Sequence, residues 1–124
     1  MKLHLAPNEG LKMFSAYGAG YVAVGHVRYE HPVVVSPQSV VAWAVTGFEA
    51  LQPGDFGVVA SLRPEIVLLG TGSMQRFPRA EIARGLAEAG AGVEVMDTRA
   101  ACRTYNILAA EGRKVVAAVL LCEE

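Results

Sequence analysis

Residues 65–72, Glu-Ile-Val-Leu-Leu-Gly-Thr-Gly, decide the fold class of this chain. The apolar residues from Ile66 to Leu69 form an uninterrupted run that stops at a glycine-rich turn. A short apolar run bounded by turn residues is typical of a strand that is buried on both faces. The segment therefore predicts a strand inside a sheet that helices cover on both sides.

Helical and strand patterns alternate around this segment. Ile82 and Leu86 lie one helical turn apart, and Ala101, Tyr105 and Leu108 mark the inner face of a later helix. Strands that alternate with helices at this spacing favour parallel pairing through helical crossovers, although the pattern leaves the direction of the last strand open. The predicted elements are a helix at 53–62, a strand at 65–69, a helix from Pro78 to Gly90 or Gly92, a strand at 93–96, a helix from the N-cap Thr98 to Gly112, and a strand at 114–121.

Strand patterns dominate the first part of the chain. The segments Tyr21–Tyr29 and His31–Val35 are rich in valine and tyrosine, and they predict a hairpin that turns near Glu30. The segment Val40–Val45, around Trp43, predicts a third strand. Together these strands form a β element that precedes the alternating part.

Length and composition describe one globular α/β domain. With 124 residues, 52% of them hydrophobic and 19% charged, the chain is too apolar to be disordered and long enough to bury its own core. It is predicted to be a single domain over residues 1–124, mainly β in 1–50 and αβαβαβ in 51–124. A net charge of −1 gives no general attraction to nucleic acid, so no nucleic-acid partner is predicted.

The chain carries no pattern of a secreted or membrane-spanning protein. Residues 1–10 lack the apolar core of a signal peptide, and no apolar run approaches the ~20 residues of a membrane span. Cys102 and Cys122 each sit in an apolar pattern, which indicates small core residues rather than a disulfide framework. A cytoplasmic location without a transmembrane segment is therefore predicted.

Two polar loops, Gly70–Phe77 and Asp97–Arg99, follow predicted strands and lead into predicted helices. Ligands of open α/β sheets bind outside the carboxyl ends of the strands, and helix N-termini favour anions. We therefore expect a ligand- or partner-binding site at this edge of the sheet. Its candidate residues are Gly70, Thr71, Gly72, Ser73, Arg76, Asp97, Thr98, Arg99, Arg103 and Asn106.

The arginines near these loops allow two interpretations. Arg99 and Arg103 lie one helical turn apart, and Arg76 and Arg79 belong to the first loop. Because the helix dipole disfavours cations at a helix N-terminus, an anionic ligand or an acidic partner would resolve the arrangement. In the alternative, these are surface arginines that form ion pairs with Glu81, Asp97 or Glu111.

Two neighbouring residues of the last predicted helix are harder to place. Tyr105 is expected in the core, with its hydroxyl reaching an edge. Asn106 has a poor helix propensity. It is therefore either exposed and neutral, or its amide holds a neighbouring loop.

The residue pattern assembles no catalytic, metal or cofactor site. The three histidines lie at positions 4, 26 and 31, and no pattern places one beside a hydroxyl or thiol. The spacing of His26 and His31 is not a metal signature, and Gly70-x-Gly72 lacks the further glycine of a dinucleotide loop. No metal and no cofactor are therefore predicted, and a non-enzymatic protein is favoured over an enzyme.

Two long motifs and a shorter block resemble a known family. The motifs are Ile66–Gly72 (IVLLGTG) and Met96–Arg113 (MDTRAACRTYNILAAEGR), and the block is Pro37–Val45 with Trp43. Together they resemble a widespread domain family without an established activity. That family includes the mitochondrial complex I assembly factor 3 and the adipogenesis-associated Mth-type domain protein of animals. The resemblance covers nearly the whole chain.

The resemblance implies a fold and a role. The family's fold is a three-layer α/β domain, with a central mixed, largely parallel sheet between helices and an added N-terminal β element. The mitochondrial member implies a binding protein that assists assembly of a membrane respiratory complex, with respiratory-complex subunits or membrane-insertion factors as partners. The residues leave an alternative, a module or enzyme for a small anion that uses Gly70–Ser73 and Asp97–Arg103. Apolar strands such as Val33–Val35 also allow a homo-oligomer.

Overall fold

The computed structural model describes residues 10–90 and 92–123 of the chain. The prediction that residues 1–10 hold no signal peptide therefore lies outside the described part of the chain for residues 1–9. Within the described ranges, no helix combines the length and the apolar character needed to cross a bilayer.

Strands and helices succeed one another along the described chain. The strands are β1 (Phe14–Gly18), β2 (Tyr21–Val24), β3 (Val27–Tyr29), β4 (Val33–Ser36), β5 (Ser39–Ala42), β6 (Ile66–Thr71), β7 (Gly92–Met96) and β8 (Val115–Leu120). The helices are α1 (Gly57–Ala60), α2 (Ala80–Ala89) and α3 (Thr98–Ala110), and 3-10 turns occupy Phe48–Ala50 and Pro53–Phe56.

The apolar run at 66–69 forms the inner strand β6, as its pattern predicts. The central sheet has the order β5-β4-β8-β6-β7, so that β6 pairs with a parallel strand on each side. Val67, Leu68 and Leu69 are fully buried. Because side chains alternate between the two faces of a strand, Leu68 joins one hydrophobic cluster while Val67 and Leu69 join another.

Different structures cover the two faces of the central sheet. On one face, α3 and a second sheet, β1-β2-β3, share a cluster with Leu68. On the other face, α2 shares a cluster with Trp43 and with Phe56 of the 3-10 turn. The added N-terminal β element is therefore present. The three-layer arrangement is not confirmed, because this second sheet lies beside α3.

The expectation of a largely parallel sheet is wrong. β6 pairs in parallel with β7 and β8, but β4 is antiparallel to both β5 and β8. The β1-β2-β3 sheet is antiparallel throughout. Helical crossovers join the parallel strands β6, β7 and β8, whereas short turns join the antiparallel pairs β1-β2, β2-β3 and β4-β5. The central sheet is therefore mixed, with β8 parallel to β6.

The hairpin predicted near Glu30 is also wrong. The chain turns earlier, at Gly25 and His26, whose φ angles are 56° and 71°, and β2 pairs there with β3. Two successive positive φ angles are typical of a two-residue hairpin turn, whose twist matches that of its strands. β4 instead enters the central sheet, where all of its residues are buried.

Several element boundaries differ from the prediction. The segment predicted as a helix at 53–62 is a 3-10 turn followed by the single-turn α1, and the strand predicted to reach Val45 ends at Ala42. The N-cap of α3 is Asp97, whose Oδ1 accepts a hydrogen bond from the Ala100 amide at 2.9 Å. Because Asp97 caps the helix, the hydroxyl of Thr98 is left for other bonds.

Helix α3 also holds the N-terminal sheet in place. The Asn106 side chain binds the backbone of Phe14 in β1: its Nδ2 donates to the Phe14 carbonyl, and the Phe14 amide donates to its Oδ1, both at 2.9 Å. The fully buried Tyr105 donates to the Lys12 carbonyl at 2.7 Å and packs edge-on against the Phe14 ring. Of the two alternatives for Asn106, the structure shows the one in which its amide holds a neighbouring segment.

Replacing Asn106 by Leu should weaken the attachment of β1 to α3. The substitution keeps the approximate size of the side chain but removes both hydrogen bonds to Phe14. We expect the free energy of unfolding, measured by urea denaturation, to fall by about 1–3 kcal/mol. The control is Ile107→Ala at the neighbouring, exposed position, for which we expect a change within about 0.5 kcal/mol. Equal losses in the two variants would contradict this role of Asn106.

Candidate functional site

Thr98 cross-links the carboxyl ends of the two inner parallel strands. Its fully buried hydroxyl accepts a hydrogen bond from the Gly72 amide at 2.9 Å and donates one to the Leu120 carbonyl at 2.5 Å. Its own amide donates to the Gly72 carbonyl at 2.9 Å. Since a hydroxyl has a single proton, Thr98 keeps no donor for a ligand.

The two glycines of the first loop are required by close contacts and backbone conformation. A Cβ atom on Gly70 would lie 2.9 Å from the Thr98 hydroxyl and 3.0 Å from a Val119 methyl group. Gly72 has a φ of +96°, which favours glycine. These glycines therefore allow α3 to lie close to the sheet. Their presence in the sequence needs no bound phosphate as an explanation.

Thr71 and Arg76 fold the rest of this loop back on itself. The buried Thr71 hydroxyl donates to the Met74 carbonyl at 2.6 Å and accepts from the Arg76 amide at 3.2 Å. The Arg76 Nη2 donates to the Thr71 carbonyl at 3.1 Å. The guanidinium carbon lies 4.5 Å from the centre of the Phe48 ring, a cation–π contact. Arg76 thus lies across the end of β6 in a defined position.

The N-terminus of α3 is capped from within the chain. The Ala100 amide donates to the Asp97 carboxylate, and the Ala101 amide donates to the Asp97 carbonyl, both at 2.9 Å. The Thr98 amide already donates to Gly72. Because these amides have acceptors, the helix end does not offer them to an anion.

Arg99 and Arg103 lie along the face of α3 that meets the C-terminal segment and β1. The Arg99 Nη1 lies 3.5 Å from the Cys122 sulfur, and the Arg103 Nη1 donates to the Tyr17 hydroxyl at 3.2 Å. Neither guanidinium lies within 4.0 Å of a carboxylate in the described ranges. The ion pairs predicted as an alternative therefore form for Arg79, with Glu81 at 3.1 Å, but not for these two arginines.

The predicted site residues divide into two groups. Those of the first group meet around the ends of β6 and β8, where the Ser73 hydroxyl also accepts from the Glu123 amide at 2.9 Å. This group is Gly70, Thr71, Gly72, Ser73, Arg76, Asp97 and Thr98. The second group, Arg99, Arg103 and Asn106, extends along α3 towards the N-terminal sheet.

A groove beside the first group was missed by the sequence analysis. It has a volume of about 330 Å³. Its walls include Pro32, Thr46, Phe48, Arg76, Leu121 and Cys122. These residues come from distant parts of the chain, so no local sequence pattern predicts the groove.

The two cysteines are buried, as predicted, and neither forms a disulfide. Burial raises the pKa of the Cys102 thiol from its ordinary value of 9.0 to about 12, and the nearby Cys122 adds to the shift. Because the thiolate is the reactive form, Cys102 is not an activated nucleophile. Among the residues that the structure describes, no group of three or more His, Cys, Asp or Glu side chains is arranged to hold a metal ion.

Removing the Thr98 hydroxyl should destabilise the fold. Thr98→Val leaves the buried Gly72 amide and Leu120 carbonyl without this partner, and we expect the free energy of unfolding to fall by at least about 2 kcal/mol. Thr98→Ser keeps the hydroxyl and should cost only about 1 kcal/mol, for the lost methyl group. Urea denaturation of both variants measures the difference. A valine variant as stable as the serine variant would contradict the cross-link.

Stability should fall in alkali because of Cys102. Its pKa is higher in the folded chain than in the unfolded one, so its contribution is complete below pH 9.0 and is lost as the pH rises towards about 12. We expect the free energy of unfolding to decrease with pH across this window. In Cys102→Ala the decrease should be shallower, as guanidinium denaturation at several pH values will show. Parallel curves for the two proteins would refute the assignment.

A family model described as "Protein of unknown function (DUF498/DUF598)" matches residues 14–120. The match runs from the first residue of β1 to the last residue of β8. It therefore includes both sheets, the three α-helices and the first group of predicted site residues.

Two curated relatives carry descriptive names. A Francisella tularensis protein named "13 kDa major membrane protein" is 32% identical over 104 residues, which cover 82% of this chain and 85% of the relative. A Bos taurus protein named "NADH dehydrogenase (ubiquinone) 1 alpha subcomplex assembly factor 3" is 37% identical over 103 residues, which cover 82% of this chain and 55% of the relative. The chain thus spans about half the length of the bovine protein.

A solved structure shares the fold. It is the solution NMR structure of a Bordetella pertussis protein that is described as a Mth938-like domain. The two chains are 36% identical, and the superposition has a TM-score of 0.78. It covers 98% of this chain and 92% of the other.

Proposed function

The chain belongs to the DUF498/DUF598 family of proteins of unknown function, and on that premise we propose that it is a non-enzymatic binding protein that assists the assembly of a membrane respiratory complex of the complex I type. The family match confirms the resemblance that was found in the two long motifs. One observation carries the proposal: the 37% identity with a bovine protein that is named as an assembly factor for NADH dehydrogenase. Since the match covers about half of that protein, the proposal concerns the shared domain.

The contacts of the candidate residues support a binding role. The side chains of Thr71, Asp97 and Thr98 form hydrogen bonds within the chain, where they fix the loops and the N-terminus of α3. Cys102 is fully buried, with a raised pKa. These groups stabilise the fold, and the chemistry of a nucleophile with a neighbouring base has no support among them.

We propose that the partner binds to the surface of this chain that contains Arg99 and Arg103. They lie on one face of α3, and neither has a carboxylate within 4.0 Å in the described ranges. Arginine is favoured at interfaces because its planar guanidinium binds carboxylates through paired hydrogen bonds. We therefore expect an acidic surface on the partner, which is a respiratory-complex subunit or a membrane-insertion factor.

The proposal also includes a location. We place the protein in the cytoplasm, at the surface of the membrane that contains its partner. The name of the Francisella tularensis relative, a membrane protein, supports contact with a membrane. We propose that this contact is made through bound partners.

Affinity capture tests the proposal. A tagged copy, expressed in its own cell, should retain respiratory-complex subunits or membrane-insertion factors from a detergent extract, as identified by mass spectrometry. Arg99→Glu with Arg103→Glu reverses both charges at the assigned surface and should reduce this capture at least about tenfold. The control, Arg28→Glu with Arg84→Glu, makes the same change of charge at other exposed arginines and should leave capture intact.

Two results would count against different parts of the proposal. If the wild-type protein captures no respiratory-complex subunit and no insertion factor, the assembly role is wrong. If the Arg99 and Arg103 variant is folded, by circular dichroism and thermal unfolding, and still captures the partner, the assigned surface is wrong.

A further inference from the structure

The groove of about 330 Å³ occupies the part of the sheet where α/β proteins bind ligands. It lies outside the carboxyl ends of β6 and β8, next to Thr71 and Leu121. The crossover through α2 joins the cluster on one face of the sheet, and the crossover through α3 joins the cluster on the other. The loops that lead into these helices follow β6 and β7, whereas the groove lies on the other side of β6, beside β8.

Arg76 lies in the wall of this groove in a defined position, but some of its hydrogen-bond donors have no acceptor in the described part of the chain. Its Nη2 donates to the Thr71 carbonyl and its guanidinium stacks on Phe48, so its position is defined. Its Nε is shielded from solvent and has no acceptor among the described residues. Its Nη1 lies 3.9 Å from a carboxylate oxygen of Glu49, which is too far for a hydrogen bond. The Arg76 side chain is 40% exposed, so a ligand in the groove would meet the guanidinium at its exposed nitrogens rather than at the shielded Nε.

We propose that this groove binds a carboxylate group, with Arg76 as the residue that recognises it and the Phe48 ring as an apolar wall. A carboxylate offers two oxygens to the paired donors of a guanidinium, and such bonds are the strong ones among hydrogen bonds. The volume is at the lower end of the range for small-molecule sites, which suits a small organic acid or a single acidic side chain. The inference does not depend on the assembly role.

Two carboxylates of the chain, one near Arg76 and one in the wall of the groove, set its selectivity. The side chain of Glu49 is 87% exposed and only loosely paired with Arg76, so an incoming carboxylate displaces it at little cost. Glu123 also lines the groove. The charges of both carboxylates repel an anion, so the site favours a singly charged carboxylate held directly on Arg76 over a multiply charged phosphate.

Amide chemical shifts of the labelled full chain test this site. We expect acetate at about 20 mM, or a capped Gly-Glu-Gly peptide, to shift the amides of Gly47, Phe48, Arg76 and Leu121 at constant ionic strength, since one charge-assisted contact supports a millimolar Kd. Shifts with acetate identify a free acid as the source of the carboxylate, and shifts with the peptide alone identify a protein side chain. An absence of shifts with both probes would overturn the proposal.

Matched variants separate the site from general charge effects. Arg76→Gln should weaken binding at least about tenfold, and Glu49→Gln should strengthen it about two- to fivefold, because the competing carboxylate is gone. Arg79→Gln lies in the same loop but outside the groove, and it should bind as the wild type does. Retained binding by a folded Arg76→Gln, or weaker binding by Glu49→Gln, would overturn the assignment.

Discussion

The hydroxyl of Thr98 is the interaction on which the carboxyl edge of the central sheet depends. It accepts from the Gly72 amide after β6 and donates to the Leu120 carbonyl of β8, while the Thr98 backbone begins α3. One side chain therefore fixes two strand ends and a helix start. Gly70 must lack a Cβ for α3 to come this close, since that atom would lie 2.9 Å from the hydroxyl. The glycines, the threonine and the N-cap Asp97 form one structural unit.

Because its start is fixed, α3 can organise the rest of the molecule along its length. Its buried face, with Ala101 and Tyr105, completes the cluster on one side of the central sheet. Asn106, the residue after Tyr105, binds the backbone of β1 with both ends of its amide. The helix thus joins the central sheet to the N-terminal sheet. Of the two roles that the sequence left open for Asn106, the structure shows the one in which its amide connects neighbouring segments.

The proposed functions use different parts of the same edge. Arg99 and Arg103 project from α3 without a carboxylate partner in the described ranges, and they suit an acidic protein surface. Arg76 lies instead in the groove beside β6, held by the Thr71 carbonyl and by Phe48. The tight packing around Thr98 gives both regions a rigid support. A partner and a small carboxylate would therefore be recognised by separate cations of one chain.

The sequence by itself determined those elements whose burial is indicated by the local pattern of apolar side chains. The run at 66–69 became an inner strand, Tyr105 and the two cysteines became core residues, and the motifs identified the family, because periodicity and local motifs are properties of the chain alone. Strand direction and pairing were decided by the tertiary structure. β4 joins the central sheet because its apolar residues need cover on both faces. The local sequence pattern does not show that β4 leaves the hairpin, whose turn lies earlier, at Gly25. The groove was decided the same way, since Phe48, Arg76 and Cys122 meet only through packing of distant segments.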